Sequence, residues 1–247
     1  MKAIILAAGQ GKRLLPYTKD RPKCLVPVLG RPILEWELLV LLKRGIKEIV
    51  IMTGYRAELV EEFLAKRFPD EPIRTRHNPD YATTDNLYTC WLARPEMDQD
   101  FLLMNGDVLV EPEIVSRLLK DSHPPITITI NRKETYDEDD MKVITRGEKL
   151  LRVGKDLPLP EVNGQSIGLL AFLGDGPKIF QETVGEIIAR RDPTKRWFLS
   201  AIDELAGRGQ VFVCDITGLS WCEIDYPKDL LLAEKVAAKI KEALSLP

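Results

Sequence analysis

The chain has 247 residues, of which 45% are hydrophobic, 7% are aromatic and 30% are charged. A chain of this length and apolar content can bury the core of one large α/β domain without disulfides to hold it together. Its formal net charge of −3 argues against nucleic acid as the main partner, so any bound anion must be held by a local group of residues.

The cysteines and histidines exclude several kinds of site. The four cysteines stand without a Cys-x-x-Cys pair, which argues against a disulfide framework and a zinc ribbon. The two histidines, His77 and His123, lie too far apart in the sequence to suggest a catalytic histidine cluster. The apolar run after Met1 is too short for a signal sequence or a membrane segment, so we expect a cytoplasmic protein.

The first half of the chain alternates short apolar runs with helix-like stretches, a pattern typical of βαβ units. The predicted strands are residues 3–7, 48–53, 73–77 and 101–105, and the predicted helices are residues 33–44, 57–67 and 86–94. Strands that are apolar on both faces imply helices on both sides of a sheet. The sequence therefore predicts the α/β class, as a three-layer αβα Rossmann-like fold with a mixed, mostly parallel central sheet.

The second half is less regular. Its predicted strands are residues 126–131, 143–145, 150–153 and 167–173, and its predicted helices are residues 177–190, 198–208 and 228–243. The acidic segment 131–140 is expected to be solvated and is a candidate mobile lid. No linker or repeat divides the chain, which favours a single domain over 1–247, with a nucleotide-binding half at about 1–110 and an acceptor-binding half at about 111–247.

A loop of small residues follows the first predicted strand, where backbone amides can approach a phosphate chain. Its residues are Leu6, Ala7, Ala8, Gly9, Gln10, Gly11, Lys12 and Arg13. A dinucleotide fingerprint or a P-loop starting at Gly9 would need glycine at position 14, where Leu14 stands. Two glycines alone would more often form an ordinary turn. Together with Arg13 and the nearby Lys23, however, the loop favours a nucleotide site that is neither a dinucleotide fingerprint nor a P-loop.

The segments LAAGQGKRL and RPKCLVPVLGRP, within residues 1–32, resemble the pyrophosphorylase-type nucleotidyltransferases, a family with a GT-A-like fold. The resemblance implies an enzyme that transfers a nucleoside monophosphate from a nucleoside triphosphate to a phosphorylated acceptor. It also implies that the loop wraps the triphosphate and the base. Arg13 would then meet the β- and γ-phosphates, and Lys23 would bridge the α-phosphate and the incoming phosphate.

Acidic residues follow two further apolar runs. Asp107 comes after the predicted strand 101–105, where ligands of open α/β sheets collect, and Glu223 and Asp225 alternate along an extended segment, so their side chains should point the same way. Alone, such acids are more often turn or helix-cap residues. The resemblance implies that Asp107 and Asp225 hold one Mg²⁺, that Gly106 and Asp107 contact the nucleotide, and that Glu223 is a neighbour or substrate contact.

The segment after the third predicted strand is similar to the phosphocholine cytidylyltransferase-like branch, in which N-x-x-Y and N-x-Y-S/T stand at this place. The resemblance implies that Asn78, Tyr81 and Asn86 bind CTP. It further implies an acceptor site, for which the candidate residues are Tyr88, Lys155, Ser166, Gly168, Trp221 and Glu223. An aromatic cage for a quaternary ammonium group could come from Tyr81, Tyr88, Trp91, Trp197 and Trp221.

Other acceptors and functions stay open at this point. The same family includes sugar-1-phosphate nucleotidyltransferases that use UTP, dTTP or GTP, and cytidylyltransferases for myo-inositol 1-phosphate or aminoethylphosphonate. A non-catalytic nucleotide-binding regulatory subunit is the alternative from another class. A glycosyltransferase would carry a D-x-D metal motif, whereas Leu109 stands two positions after Asp107. The sequence predicts neither the acceptor nor the oligomeric state.

Overall fold

The computed structural model describes residues 1–190 and 196–246. The chain divides into two compact units. Unit 1 contains Met1–Ala82, Met104–Ser116 and the residues from Leu219 onward, and unit 2 contains Thr83–Leu103 and Arg117–Gly218.

The strands, in chain order, are β1 (Lys2–Leu6), β2 (Pro27–Val28), β3 (Arg31–Pro32), β4 (Glu48–Thr53), β5 (Ile73–His77), β6 (Phe101–Asn105), β7 (Val108–Val110), β8 (Ile126–Asn131), β9 (Lys142–Arg146), β10 (Lys149–Gly154), β11 (Gly164–Phe172), β12 (Val211–Asp215) and β13 (Trp221–Glu223). The helices are α1 (Ile33–Lys43), α2 (Ala57–Arg67), α3 (Asn86–Ala93), α4 (Pro112–Asp121), α5 (Gly176–Arg190), α6 (Leu199–Gly207) and α7 (Leu230–Ala243). Within the described residues, none of these helices combines the length and the apolar character that crossing a membrane requires.

Unit 1 is built on the parallel strands β5, β4 and β1, in that order. β1 and β4 are buried along almost their whole length, which explains why both are apolar runs without alternation. Just beyond the end of β6, the Gly106 amide donates a hydrogen bond to the Leu6 carbonyl at 3.0 Å. A second, two-stranded sheet of β7 and β13 is covered by α1 and α7. The carboxyl end of β1 therefore lies beside the turn that leads into β7.

Unit 2 has the strand order β11-β8-β12-β10-β9, with an additional pairing between β11 and β9. β8 and β12 are parallel, and the other pairings of this group are antiparallel. The core of unit 2 includes Phe101 stacked on Phe172, with ring centroids 4.5 Å apart, and Phe180 4.6 Å from Phe172. The predicted α/β class and mixed sheet are confirmed, with the described parallel pairings concentrated in unit 1.

Several predicted element bounds need correction. The helix predicted at 228–243 begins at Leu230, because Pro227–Asp229 forms a separate 3-10 turn. The strand predicted at 167–173 begins earlier, at Gly164. Among the described residues, six elements lay outside the predictions: β2, β3, β7, α4, β12 and, as a paired strand, β13. The single-domain boundary stays a prediction, and the segment from Leu219 onward clusters with unit 1 rather than with the rest of the proposed acceptor half.

Candidate active site

The loop after β1 is tied to β4 at its beginning. The Ala7 amide donates to the Met52 carbonyl at 3.0 Å, and the Tyr55 amide donates to the Ala8 carbonyl at 3.0 Å. Farther along, the Thr18 hydroxyl donates to the Gly11 carbonyl at 2.8 Å. The first residues of the loop are thus held by backbone hydrogen bonds, as a rigid cradle for phosphates requires.

Gly11 is required where it stands for two reasons. Its φ of +73° lies in the left-handed region that favours glycine. A Cβ at this position would also lie 2.9 Å from the Cβ of Lys23. The aliphatic part of Lys23 therefore packs directly on the loop, and Lys23 itself opens a short 3-10 turn after Pro22.

The pairing of β7 with β13 brings the acidic residues together. Glu223 lies opposite Val108, and the Ile224 amide donates to the Asp107 carbonyl at 3.0 Å. Carboxylate oxygens of Asp107, Glu223 and Asp225 all lie within 4.8 Å of one another. Residues more than a hundred positions apart thus form one cluster, which we call the carboxylate cluster: Asp107, Glu223 and Asp225.

A different residue caps the turn after Asp225. Oδ2 of Asp229 accepts the backbone amides of Asp225 at 2.9 Å and of Tyr226 at 2.7 Å. The N-cap of this turn is Tyr226, and Asp229 completes a capping box with it, so Asp225 does not have the helix-cap role that its sequence position allowed. The carboxylate of Asp225 is therefore available to the other two members of the carboxylate cluster, Asp107 and Glu223.

Two cations neutralise the carboxylate cluster. Nζ of Lys23 lies 2.6 Å from Oδ2 of Asp107 and 2.6 Å from Oδ1 of Asp225. Nη2 of Arg13 lies 2.8 Å from Oδ2 of Asp225, and Nη1 donates to the Tyr226 hydroxyl at 3.4 Å. The Lys23 side chain is only 11% exposed, whereas that of Arg13 is 50% exposed. The Lys23 pairs are therefore less screened by water than the Arg13 pair.

The cluster shifts the pKa values of its members. Burial would lower the pKa of Lys23, but the carboxylates of Asp107 and Asp225 raise it above its ordinary value, so the ammonium stays charged. Burial, together with the charges of Asp107 and Asp225, raises the pKa of Glu223 to about 8. Three carboxyl groups at this distance cannot all ionise as they would in water.

The residues of the cluster fit a hard divalent cation. All three donors are carboxylates, the ligand type that Mg²⁺ prefers. In the described ranges 1–190 and 196–246, Oδ1 of Asp107 is buried and has no hydrogen-bond partner. A buried oxygen of this kind is costly unless a ligand satisfies it. The cluster therefore can hold a metal, and Oδ1 of Asp107 is a buried oxygen that is available to it.

Two neighbours of the cluster were absent from the sequence-based site. Glu37 of α1 is 1% exposed, and its Oε1 accepts the Val108 amide at 3.3 Å, one residue from Asp107. Burial, then the charge of Asp107, raises the pKa of Glu37. Tyr226 lies under Arg13, whose guanidinium carbon is 5.2 Å from the ring centroid. An acid inside the apolar helix sequence ILEWELLVL was the signal that could have identified Glu37.

The residues predicted to read the base lie partly in unit 1. Asn78 is fully buried, and its Oδ1 accepts the Asp80 amide at 2.9 Å. Tyr81 makes edge-to-face contacts with Tyr55, at 6.2 Å between centroids, and with His77, at 6.5 Å. The side chain of Asn78 therefore shapes the 78–81 turn, and Tyr81 belongs to an aromatic group beside β5.

Other predicted residues lie in unit 2. Oδ1 of Asn86 accepts the Phe198 amide at 2.8 Å, so this oxygen fixes a loop. Tyr88 stacks on Trp91 with centroids 5.3 Å apart. Nζ of Lys155 lies 3.7 Å from Asp139 and 5.0 Å from the centroid of the Trp197 ring.

A β-bulge marks the predicted acceptor strand. The pairing of β11 with β8 shifts register between Ser166 and Leu170. Within the bulge, Gly168 has a φ of +77°, and its amide donates to the Ser166 hydroxyl at 3.3 Å. Bulges of this kind often lie at functional sites because they redirect side chains.

The remaining predicted residues flank the unit 1 site. Lys12 opens the 3-10 turn Lys12–Leu14, and Trp221 pairs with Val110 at the start of β13. Unit 1 thus brings together Arg13, Lys23, Asp107, Glu223 and Asp225. Their role in catalysis stays a prediction.

The chain is similar to a known protein family and to known proteins. The family model described as "Nucleotidyl transferase" matches residues 2–154. "CMP-5'-(3-aminopropyl)phosphonate synthase" of Streptomyces rubellomurinus is 33% identical over 242 residues, which cover 93% of this chain and 37% of that protein. "Choline-phosphate cytidylyltransferase" of Streptococcus pneumoniae is 37% identical over 103 residues, which cover 42% of this chain and 43% of that protein. These two matches each cover less than half of the relative's length.

Among solved structures, the inositol-1-phosphate CTP transferase from T. maritima is similar to this chain with a TM-score of 0.83. The two share 22% identity, and the superposition covers 98% of this chain and 96% of that structure. At this level of identity, the likeness concerns the fold.

Proposed function

Because this chain belongs to the nucleotidyl transferase family of enzymes, we propose that it transfers the cytidylyl group of CTP to a small phosphorylated alcohol or phosphonate. The observation that carries the proposal is the position of Lys23, whose Nζ lies 2.6 Å from both Asp107 and Asp225. One buried cation beside paired carboxylates and a glycine loop is suited to a metal-bound triphosphate.

The choice of CTP is supported by the segment that follows β5. The sequence-based resemblance of Asn78, Tyr81 and Asn86 to the cytidylyltransferase branch favours a pyrimidine over a purine. Two relatives point in the same direction, since their names contain CMP or cytidylyl groups. We therefore propose that Asn78 and Tyr81 line the base site together with the loop from Leu6 to Arg13.

The acceptor is proposed to carry a positive charge as well as a phosphoryl group. Choline phosphate and 3-aminopropylphosphonate, named in the two relatives, both combine a cationic nitrogen with a phosphorus acid. Unit 2 of this chain offers the stacked rings of Tyr88 and Trp91, which are groups that attract cations. Phosphocholine is the acceptor that we propose first, with Lys155, Ser166 and Gly168 on the side of its phosphate.

No side-chain nucleophile is needed for this reaction, because a phosphate monoester is already largely dianionic near neutral pH, with its second pKa at about 6. An acceptor oxygen attacks the α-phosphorus, and the bond from that phosphorus to pyrophosphate breaks. Arg13 binds the β- and γ-phosphates of the departing group. Lys23 offsets the charge that develops around the α-phosphate.

Mg²⁺ is proposed as the cofactor, held by Asp107 and Asp225. When bound, it supplies positive charge that stabilises the transferring and departing phosphoryl oxygens. Glu223 lies in the same carboxylate cluster, and we propose that it contacts the acceptor or a ligand of the metal rather than the metal itself. Its raised pKa means that Glu223 keeps its proton to a higher pH than an isolated glutamate does, beside the two proposed metal ligands.

The proposal is tested by pyrophosphate release from CTP and Mg²⁺ with a panel of acceptors: phosphocholine, 2-aminoethylphosphonate, myo-inositol 1-phosphate and glucose 1-phosphate. We expect turnover with at least one cationic acceptor, and a loss of about 10²-fold or more in Asp107→Asn. Asp70→Asn, at an exposed position after α2, is the matched control and should retain activity. No turnover with CTP and any acceptor would contradict the proposal.

A further inference from the structure

A buried lysine lies next to the proposed acceptor lysine. Lys142 is the first residue of β9 and is only 3% exposed. Its Nζ donates a hydrogen bond to the backbone carbonyl of Lys155 at 3.0 Å. A lysine side chain is rarely this buried, so its position requires an explanation.

The charge of Lys142 has little compensation within the chain. In the part of the chain that the structure describes, its ammonium group makes this one hydrogen bond, and no carboxylate lies within the 4.0 Å of an ion pair. An ammonium group has three donors, so two of them are unused. Burying a cation with a single neutral partner is costly. An anionic ligand close by would offset this cost.

The surroundings of Lys142 are polar and belong to three strands. Lys142 lies opposite Gly154 of β10 and opposite Gln165 of β11. Residues directly opposite each other in a sheet project from the same face. Gln165 is 6% exposed, and among the described residues its Oε1 has no hydrogen-bond partner. Two incompletely satisfied polar side chains thus lie side by side, just before Ser166.

Lys155 itself has an exchangeable partner. Its Nζ is 3.7 Å from Asp139, whose side chain is 65% exposed. An exposed ion pair of this length contributes little stability and is easily replaced by a ligand. The backbone carbonyl of Lys155 is therefore held by a buried cation, whereas its ammonium group has a long ion pair with Asp139 and a contact with the Trp197 ring at 5.0 Å.

We propose that Lys142 is a positioning residue for Lys155, and that together they bind the dianionic phosphoryl or phosphonyl group of the acceptor. Lys142 holds the Lys155 carbonyl, which fixes the direction of the Lys155 side chain. Its own charge adds to the positive potential that the acceptor meets. This inference rests on the proposed function, because it concerns how the acceptor is held.

The test uses Lys142→Met and Lys142→Arg in the full chain, with KM measured separately for CTP and for the best acceptor. We expect Lys142→Met to raise the acceptor KM about tenfold or more and to leave the CTP KM within about twofold. Lys142→Arg keeps the charge but moves the donor, so the acceptor KM should rise about threefold or more. If the methionine variant does not fold, the acceptor KM of Lys142→Arg alone tests the inference.

The matched control is Lys149→Met. Lys149, on β10 of the same unit, also donates to a backbone carbonyl, that of Gly209, at 2.9 Å. Both KM values should remain close to those of the wild type in this variant.

A double-mutant cycle separates positioning from a general structural effect. If Lys142 acts mainly through Lys155, adding Lys142→Met to Lys155→Met should raise the acceptor KM by a clearly smaller factor than Lys142→Met does in the wild type. The inference would be overturned if the effects of Lys142→Met and Lys155→Met on the acceptor KM multiplied fully. It would also be overturned if the KM for CTP changed in parallel with the acceptor KM, or if the acceptor KM were unchanged in both Lys142 variants. Wild-type chain that turns over no acceptor with CTP would instead contradict the proposed function.

Discussion

The ammonium nitrogen of Lys23 lies 2.6 Å from Oδ2 of Asp107, although 84 positions separate the two residues in the chain. The same nitrogen is 2.6 Å from Asp225, so it compensates the two carboxylates proposed to hold Mg²⁺. A metal and a triphosphate bound here, as proposed, would have to compete with or displace these pairs. In this structure Arg13 and Lys23 compensate the charges of Asp107 and Asp225, and under the proposed function Lys23 is released to phosphate when these two carboxylates bind metal.

Replacing Lys23 by methionine tests this relationship. We expect Lys23→Met to reduce turnover by about 10²-fold or more, because the charge near the α-phosphate is lost. The carboxylates would also lose their buried counterion, so the variant without metal should be less stable, and added Mg²⁺ should restore more stability than in the wild type.

Thermal unfolding with and without Mg²⁺ measures this difference. The control is Lys19→Met, at an exposed position nearby in the sequence, which should behave as the wild type. Equal metal-dependent shifts in Lys23→Met and the wild type would argue against a shared site.

The contact between Gly11 and Lys23 gives a second prediction. An alanine at position 11 would be strained by the φ of +73° and would place its Cβ 2.9 Å from the Cβ of Lys23. We expect Gly11→Ala to lower kcat/KM by about tenfold or more, because Lys23 must move.

Gly147→Ala is the matched control for backbone strain. Gly147 has a φ of +57°, and no heavy atom lies within 4 Å of a Cβ built there. Both variants should lose about 1 kcal/mol of stability from the left-handed conformation, but only Gly11→Ala should lose activity. Equal activities in steady-state assays would show that the packing of Lys23 on the loop is unimportant.

Ionisation of the buried Glu37 carboxyl group is predicted to make the stability of the chain depend on pH. Its pKa is raised above the ordinary value of 4.5, chiefly by burial. Above that pH, the folded chain binds this proton more strongly than the unfolded chain does, so the free energy of unfolding decreases as pH rises. Glu37→Gln removes the titrating group and keeps an oxygen that can accept the Val108 amide.

Urea unfolding of the metal-free chain at about pH 5 and about pH 8 measures the effect. We expect the glutamine variant to gain stability relative to the wild type as pH increases. A difference between the two proteins that is constant with pH, or that falls, would show that Glu37 ionises in the folded chain as readily as in water.

Removing the charge of Asp139 is predicted to increase the affinity for the acceptor. Asp139 lies 3.7 Å from Nζ of Lys155, so it would compete with an acceptor phosphate for that cation if Lys155 binds the acceptor as proposed. Asp139→Asn should therefore lower the acceptor KM about twofold to fivefold, the range expected for loss of an exposed ion pair. Glu138→Gln removes a charge from the neighbouring exposed position and should have a smaller effect. A higher acceptor KM in Asp139→Asn would mean that Asp139 assists binding.

The long apolar elements were predictable because their pattern is local. The strands Glu48–Thr53 and Phe101–Asn105 and the helix Ala57–Arg67 have the bounds that the sequence predicts. Each contains enough consecutive apolar or periodic residues to identify its type. By contrast, Val108–Val110 and Trp221–Glu223 have three residues each and are stabilised by pairing with each other across the chain. Helix Pro112–Asp121 had a local signal, a proline at its first position and apolar residues at helical spacing.

The site was predictable in part for the same reason. The glycine loop with Arg13, and the acids Asp107 and Asp225, stand in recognisable motifs. The pairing of Lys23 with both aspartates depends on distant segments meeting, which spacing alone does not reveal. Glu37 had a local signal in its apolar helix sequence, but a charged residue of this kind is usually exposed. Lys142 begins a short strand, and only its burial distinguishes it from an exposed lysine.

The nucleotide preference of the purified chain tests the central claim most directly. Pyrophosphate release is measured with CTP, UTP, dTTP, GTP and ATP in turn, each with Mg²⁺ and the same acceptors, including phosphocholine and glucose 1-phosphate. Cytidylyl transfer predicts that CTP with a cationic acceptor gives the highest kcat/KM, and that a chelator abolishes turnover. Turnover with UTP, dTTP or GTP and glucose 1-phosphate, with none from CTP, would contradict it.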